Sequence, residues 1–380
     1  MTGQLDDNYE VLVIGGGAAG LSGALTLARS LRSVAVIDAG APRNAPAEGV
    51  HGLLARDGMR PDELLGRGRA EVRRYGGHVV PGEVATAVRA GDGFEVTLTD
   101  GRCAHARRLL VTTGLVDRLP DIPGLRERWG RDVLHCPYCH GYEVRGQAIG
   151  VLATGPTAMH QVLLFRQLSD DVTLFTHTQP PLDDADTERL AARGVRVVPG
   201  TVTGVETTDD RLSGIRLDDG TVVPRQALAV ATRLEARAAF LDSLGLHTAE
   251  HPLGTYVPAD ATGRTDVPGV WVAGNVTDPV AQVGAAGAAG TTAGAQINAD
   301  LAAEDTDRAV AAHRESRRHG HRDSHRDGPA PADSGGVSGG QTAAGTDGQT
   351  AAVAVGQAAA GADGQPGADG QAAGTEGRAA

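Results

Sequence analysis

A glycine-rich turn near the beginning of the chain restricts its possible folds more than any other feature. The turn, Gly15 to Gly20, follows the short apolar run Val11 to Ile14 and precedes an apolar-periodic stretch from Ala18 to Leu31. A second apolar run, Val34 to Ile37, ends at Asp38. Short apolar runs on either side of an amphipathic stretch are typical of a strand, turn, helix, strand unit. The sequence therefore predicts a nucleotide-binding βαβ unit.

The residues of this turn suit a dinucleotide. The first two glycines of the G-x-G-x-x-G pattern allow a tight turn and close approach of the backbone to a pyrophosphate, whose charge the helix N-terminus stabilises. Asp38, eighteen residues beyond Gly20, can accept hydrogen bonds from the ribose hydroxyls. We therefore favour a dinucleotide site over an incidental turn. Its predicted residues are Gly15, Gly17, Ala18, Ala19, Gly20 and Asp38.

A second unit of the same kind begins in the middle of the chain. Ala148 to Leu152 indicates a strand, Thr157 to Leu168 a helix, and Val172 to Phe175 the next strand. Further strands are predicted outside the two units at Phe94 to Leu98, Leu109 to Thr113 and Val270 to Gly274. The Ala- and Gly-rich segment Val280 to Leu301 indicates a helix packed closely against a partner.

One domain interrupted by another accounts for this order. We predict an α/β fold with two Rossmann-like nucleotide-binding domains, the second inserted in the first. The predicted boundaries are 1–117 and 245–303 for the two parts of the outer domain, 118–244 for the inserted domain, and 304–380 for a disordered low-complexity tail.

The tail is predicted from its composition, because it has too little apolar bulk to offset the entropy lost on ordering. Four of its histidines could bind a metal: His313, His319, His321 and His325. No cysteine or regular spacing supports such a site, so a solvated linker is favoured and no metal is predicted.

The charge balance and the ends of the chain exclude several classes of function. Forty-seven acidic residues against 35 basic ones, all arginine, give a formal charge of −12. This balance argues against a nucleic-acid surface. Neither a signal peptide nor an apolar run of about 20 residues is present, so no membrane is predicted and a cytoplasmic location is expected.

Cys136-Pro137-Tyr138-Cys139-His140 carries the second chemical signal. Two thiols this close can form a small-loop disulfide, and a nearby cation can lower the pKa of one of them. His135 and His140 flank the pair as candidate proton donors or acceptors. Half of a zinc site is the alternative, but no second Cys-x-x-Cys exists. Cys103 is interpreted as an incidental thiol in a surface turn.

With these residues in view, the chain resembles the low-molecular-weight thioredoxin reductases over about residues 9–303. The motifs recur in the family's order: Gly15 to Gly20, Thr112-Thr113-Gly114, the cysteine pair, and Gly269 to Gly274. The resemblance implies an FAD-binding domain built from 1–117 and 245–303, an NAD(P)-binding-like domain at 118–244, and a homodimer. It implies that Cys136 exchanges with the substrate while Cys139 faces the flavin. It adds to the cofactor site Thr113, Gly114, Gly274, Asn275, Gln282 and Val283.

Departures from that family lie in the inserted domain. The family's Gly-x-Gly-x-x-Ala becomes Ala153-Thr154-Gly155-Pro156-Thr157-Ala158, and its paired arginines for the 2′-phosphate become His177 and Thr178, so NADPH use is doubtful. Asn275 stands where the family has Asp. Cys136 to Glu143 resembles instead the thioredoxin-reductase-like dithiol oxidases that close the disulfides of gliotoxin and holomycin.

The leading hypothesis is therefore a dithiol oxidase using Cys136, Cys139 and His140, with FAD passing electrons to oxygen. Its partner would be a small-molecule dithiol or a thioredoxin-like protein. An NADPH-dependent thioredoxin reductase is the first alternative. An FAD-bound redox sensor without catalytic activity is an alternative of another class.

Overall fold

The computed structural model describes residues 5–155 and 157–323, with side chains through residue 318. Its first part is an α/β layer around a central sheet. The elements are β1 (Asn8–Ile14), α1 (Ala18–Arg29), β2 (Val34–Asp38), α2 (Pro61–Arg74), β3 (His78–Pro81), β4 (Val84–Ala90), β5 (Gly93–Leu98) and β6 (Cys103–Val111). The predicted first βαβ unit is thus confirmed, and the glycine turn lies between β1 and α1.

The first sheet has the order β3-β2-β1-β6-β5-β4, with β1 to β3 and β6 parallel and the last two strands antiparallel. Strand β1 is buried on both faces from Val11 to Ile14: one face packs in a cluster with residues of α1 and α2, and the other in a cluster with residues of β4 and β5. This explains its continuous apolar sequence rather than an alternating one. Cys103 begins β6 and is exposed, one residue beyond the turn in which the sequence placed it.

The chain then enters a second α/β layer. Its elements are β7 (Leu115–Arg118), α3 (Leu125–Arg128), β8 (Val133–Leu134), α4 (Pro137–His140), β9 (Ile149–Leu152), α5 (Ala158–Phe165), β10 (Val172–Phe175), α6 (Asp184–Ala192), β11 (Arg196–Val198), β12 (Val202–Thr208), β13 (Arg211–Leu217), β14 (Val222–Pro224) and β15 (Ala227–Val230). A parallel sheet of order β11-β10-β9-β15-β8 packs against the antiparallel meander β12-β13-β14. The second βαβ unit is therefore confirmed as well.

The return to the first layer uses short strands and one long helix. These elements are β16 (Arg233–Ala236), a 3-10 helix (Ala239–Leu244), β17 (Ala249–His251), β18 (Gly254–Tyr256), β19 (Val270–Val272), a second 3-10 helix (Gly274–Val276) and α7 (Val283–Asp323). Strand β16 pairs antiparallel with β7, so the two crossings form one ribbon. Ala238 and Leu241 already belong to the first core, so the chain returns earlier than the predicted boundary at residue 244.

Helix α7 packs against α1 with almost no space between the two backbones. A Cβ at Gly290 would lie 1.9 Å from the Ala19 carbonyl oxygen, and one at Gly294 would lie 2.7 Å from the Gly23 carbonyl oxygen. The close-packed helix predicted from the Ala- and Gly-rich composition is thus confirmed, with α1 as its partner. Even the methyl side chain of alanine at either position would push the two helices apart.

The predicted tail boundary at residue 304 is wrong, because α7 continues without interruption to Asp323. Ion pairs stabilise this part of the helix: Asp305 accepts hydrogen bonds from Arg32 at 2.7 Å and from Arg107 at 2.6 Å, and Arg108 binds Asp300 and Glu304. The rest of the predicted tail, 324–380, lies outside the described residues. Among the described residues, no helix combines the length and the apolar character needed to span a bilayer.

Candidate active site

A cavity of about 1310 Å³ extends from the glycine turn to the cysteine pair. It lies at the carboxyl ends of β1, β2 and β6, where the crevices of α/β sheets usually bind ligands. Residues from both α/β layers line it. The predicted site residues that line it are Gly15, Gly17, Ala18, Ala19, Asp38, Thr113, Gly114, Cys136, Cys139, His140, Gly274, Asn275, Gln282 and Val283. Gly20 does not line the cavity.

The glycine turn is shaped by contacts that leave no room for side chains. Gly15 has a φ of 110°, and a Cβ there would lie 2.4 Å from the Thr112 carbonyl oxygen. A Cβ at Gly20 would lie 1.9 Å from the Gly15 carbonyl oxygen, so Gly20 lets α1 pack against the turn beneath the cavity. The Thr112 hydroxyl lies 2.8 Å from the same Gly15 oxygen. These contacts hold the turn in one conformation.

The turn fits a pyrophosphate on its open side. A Cβ built at Gly17 would meet no atom within 4 Å, because this glycine faces the cavity. Asp38 stands beside the turn, and a Cβ at Gly16 would lie 2.5 Å from its carboxyl group. Asp38 accepts hydrogen bonds from the Gly40 backbone N–H and from Arg69, both at 3.0 Å. These two bonds orient its carboxylate at the end of β2. The geometry therefore matches the needs of a dinucleotide.

The opposite wall of the cavity comes from the segment before α7. Gly274 has a φ of 75° and lies against Ala19, where a Cβ would be 2.9 Å from the Ala19 Cβ. The Asn275 side-chain amide donates to the carbonyl oxygens of Asp278, at 3.0 Å, and Ala281, at 2.9 Å. Asn275 thus shapes the turn that leads to Gln282 and the start of α7, a role that sequence reasoning did not foresee.

The cysteine pair forms a disulfide at the start of the short helix α4. The Cα atoms of Cys136 and Cys139 are 5.2 Å apart. The Cys139 backbone N–H donates to the Cys136 Sγ at 3.2 Å. Pro137 suits the first helical position, where no backbone N–H is needed. Both sulfur-bearing residues are half-buried and face the same cavity as the glycine turn.

Two histidines adjoin the disulfide in a weakly hydrated environment. Burial lowers the pKa of His135, and the charge of Arg43 lowers it further, while burial alone dominates for His140. Both imidazoles are therefore neutral at neutral pH. The His135 Nδ1 and the His140 Nε2 atoms are buried and have no hydrogen-bond partner among the described residues. A neutral imidazole nitrogen of this kind can accept a proton.

A buried carboxylate that the sequence did not single out joins three segments at the cavity. Asp117, on β7, receives two hydrogen bonds from Arg43 at 2.6 and 2.7 Å and one from the Thr232 hydroxyl at 2.7 Å. Burial alone would raise the pKa of Asp117, but the Arg43 and Thr232 bonds outweigh it and lower the pKa. All three residues line the cavity. No local pattern marks them, because they are far apart in the chain.

Comparison with known proteins agrees with this geometry. Residues 9–295 match the profile of the family described as Pyridine nucleotide-disulphide oxidoreductase. The chain is 32% identical over 317 residues to a protein of Leptosphaeria maculans named thioredoxin reductase sirT, covering 78% of this chain and 96% of that one. It is 33% identical to thioredoxin reductase tcpT of Claviceps purpurea, covering 78% and 95%. The crystal structure of HlmI superposes with a TM-score of 0.78 at 46% identity, covering 83% and 99%.

Proposed function

Because the chain belongs to the pyridine nucleotide-disulphide oxidoreductase family and is an FAD-dependent disulfide oxidoreductase, we propose that it oxidises a dithiol to a disulfide with O₂ as electron acceptor. Cys136 and Cys139 would carry the exchange. The proposal rests on the side chains that follow β10. A reductase of this family would need a fixed cation there to bind the 2′-phosphate of NADPH.

His177 follows β10 and cannot easily supply that cation. Its Nδ1 accepts a hydrogen bond from the Val202 backbone N–H at 3.0 Å, which requires an unprotonated nitrogen. Burial also lowers the pKa of His177. Both observations favour a neutral ring at neutral pH. Protonation would break the bond to Val202, so a phosphate at this position would gain no permanent charge partner.

Arg166 ends helix α5, the helix before β10, and its guanidinium is already engaged. Its Nε donates to the Arg193 carbonyl oxygen at 2.7 Å, and its Nη1 donates to Asp170 at 2.6 Å. Helix α6, which follows β10, begins with an acidic turn containing Asp184 and Asp186. An arginine would have to abandon these bonds and approach an acidic segment to bind a phosphate. NADPH, with its 2′-phosphate, is therefore a poor fit for this site.

The disulfide itself suits exchange with a dithiol. A substrate thiolate attacks the Cys136 Sγ, the Cys136–Cys139 bond breaks, and Cys139 leaves as a thiolate. The second substrate thiol then attacks the substrate sulfur of the mixed disulfide, which forms the substrate disulfide and releases Cys136. The Cys139 N–H that donates to the Cys136 Sγ stabilises negative charge on that sulfur as it leaves. Two electrons have then moved from substrate to the protein dithiol.

The neighbouring histidines supply the proton transfers that this exchange needs. Because burial lowers the pKa of His135 and of His140, each can accept a thiol proton as a neutral base. FAD, when bound, supplies the two-electron chemistry that links the protein dithiol to oxygen and yields peroxide. Residues at Gly15 to Gly20, Asp38 and 274–283 would hold it.

The size of the cavity supports a small substrate. Its volume of about 1310 Å³ exceeds the range of about 300–1000 Å³ that is typical of ligand pockets. Room for a small dithiol beside the cofactor is consistent with this volume. We also propose a homodimer, as the resemblance to thioredoxin reductases implies. We propose a cytoplasmic location because the exposed, unpaired Cys103 suits a reducing compartment. Light scattering and cell fractionation test these two points.

Parallel anaerobic titrations test the proposed reaction. Flavin absorbance is followed after addition of dithiothreitol to one sample and of NADPH to another, and air is then admitted. We expect rapid reduction by dithiothreitol, little by NADPH, and release of peroxide in air. Losing a bidentate charge-assisted contact costs about 1.5–3 kcal/mol, so NADPH should bind at least about tenfold more weakly than in a reductase that has it.

A second function is favoured by the names of the relatives, which are thioredoxin reductases. In that case NADPH would reduce the flavin within the turnover time and the electrons would reach a thioredoxin-like protein. Fast reduction by micromolar NADPH, coupled to reduction of thioredoxin, would reject the oxidase and leave this alternative.

A further inference from the structure

A third histidine lines the cavity that contains the disulfide, although it lies far from the cysteines in sequence. His51 belongs to the loop between β2 and α2, and it lines the same cavity as Cys139 and His140. The loop is closed by paired backbone hydrogen bonds between Val50 and residues 58–59, at 2.8 Å each. These two bonds hold the backbone around His51 in place beside the cavity.

The His51 imidazole lies between two carboxylates, one from each α/β layer. Its Nδ1 is 3.4 Å from the Asp57 Oδ2 on its own loop, and its Nε2 is 3.5 Å from the Glu143 Oε1 beyond α4. Asp57 also accepts the Gly52 N–H at 2.9 Å, so the carboxylate is oriented. A Cβ at Gly49 would lie 3.1 Å from the His51 Nε2, so a larger residue there would crowd the ring.

The exposed Asp57 carboxylate lies on the solvent side of His51. His140 is half-buried beside Cys139, and its Nε2 has no partner among the described residues. The side chain of His51 is 23% exposed, and that of Asp57 is 68% exposed. The charged and titratable groups that act on His140 are Glu143, His51 and Glu48. His51 therefore lies between the exposed carboxylate of Asp57 and Glu143, and Glu143 and His51 both act on the charge of His140.

We propose that His51, oriented by Glu143 and Asp57, carries the proton released by thiol oxidation from the His140 side of the disulfide to solvent. The inference rests on the dithiol exchange proposed above. In that exchange two substrate S–H bonds break, the substrate S–S bond forms and the Cys136–Cys139 bond breaks. The protein then holds the Cys136 thiol and the Cys139 thiolate, so one proton per exchange must leave the site. His51 is a positioning residue in this scheme, because it acts through His140.

The test compares His51→Gln with His247→Gln. His247 is a matched control, because its Nδ1 lies 3.2 Å from Asp242 in an exposed pair that does not line the cavity. Disulfide reduction by dithiothreitol is measured in flavin-free protein by acid quench, alkylation and mass spectrometry, and in the FAD-loaded enzyme by anaerobic stopped-flow absorbance. Each series is repeated with added imidazole and over pH 6–9.

We expect His51→Gln to slow both reductions by at least about tenfold and added imidazole to restore most of the rate, as for loss of a proton carrier. His247→Gln should stay within about twofold of wild type. Glu143→Gln keeps an oxygen near the ring but loses the charge, and should slow the reaction by about threefold. This milder variant serves if His51→Gln folds poorly.

Three results would overturn the inference. Equal rates for His51→Gln and His247→Gln would show that no proton passes through His51. A slow His51→Gln variant that imidazole does not restore, with a pH profile parallel to wild type, would show a structural role only. If dithiothreitol fails to reduce the wild-type disulfide, the proposed dithiol function itself fails, and this inference with it.

Discussion

Replacement of Asp117 by asparagine should destabilise the protein much more than replacement of an exposed acid on the same ribbon. The Asp117 side chain is 6% exposed and receives two hydrogen bonds from Arg43 and one from Thr232. Asparagine offers one acceptor oxygen, and its amide N–H₂ would face the guanidinium donors. At least one charge-assisted bond, worth about 1.5–3 kcal/mol, is therefore lost.

The loss of stability in Asp117→Asn depends on the charge of Arg43, which remains in the variant. Removing one partner of a fully buried ion pair costs about 3–5 kcal/mol, because the other charge stays desolvated. The Arg43 side chain is 27% exposed, so water can solvate part of the guanidinium and the cost falls to about 2–3 kcal/mol. At about 2 °C per kcal/mol for a large domain, the apparent Tm should fall by about 4–6 °C.

Thermal unfolding of the FAD-loaded variants measures this, with Glu235→Gln as the control. Glu235 pairs with Arg118 on the same ribbon, but both side chains are exposed, so its loss should cost less than about 1 kcal/mol. Because the pKa of Asp117 is lowered in the folded state, its contribution is present above the unfolded pKa of about 3.9 and is lost as the pH falls. The Tm difference should hold from pH 8 down to about pH 5 and shrink only below about pH 4, as the pH falls from the unfolded pKa towards the folded one. Equal Tm losses for the two variants would refute the reasoning.

Three further predictions address the cofactor, the long helix and the sulfur atoms. Gly17→Ala should fold normally yet retain less FAD after gel filtration, because its Cβ would point only into the cavity, whereas Gly66→Ala, equally open but on α2, should leave flavin content unchanged. A chain ending at Asp305 should keep its flavin and melt within about 2 °C of the full chain, because Asp305 keeps its pairs with Arg32 and Arg107 and the lost pair between Arg308 and Asp92 is exposed; loss of FAD would contradict this. Cys136→Ser should show a long-wavelength charge-transfer band from the Cys139 thiolate beside the flavin, and Cys139→Ser should not; identical spectra would reverse the assignment.

Local sequence determined the framework of this protein. The two βαβ units, the glycine turn, the Ala- and Gly-rich helix and the cysteine pair were predictable because each is marked by a pattern within one stretch of about 30 residues. Strand periodicity, tight-turn geometry and small-loop disulfide chemistry all act over that distance. The resemblance to thioredoxin reductases could also be drawn from these motifs, and the comparisons confirm it.

Contacts distant in sequence were decided only by the tertiary structure. The segment 304–323 looked too poor in apolar residues to fold, yet Asp305 meets Arg32 and Arg107, which lie on another part of the chain. Asp117 pairs with Arg43, and Glu143 with His51, because the fold brings together residues that are distant in the chain. A charged side chain carries no mark of its partner in the local pattern. Only folding brings the two within about 4 Å, where their interaction becomes strong enough to orient side chains and to shift the pKa of a buried group such as Asp117.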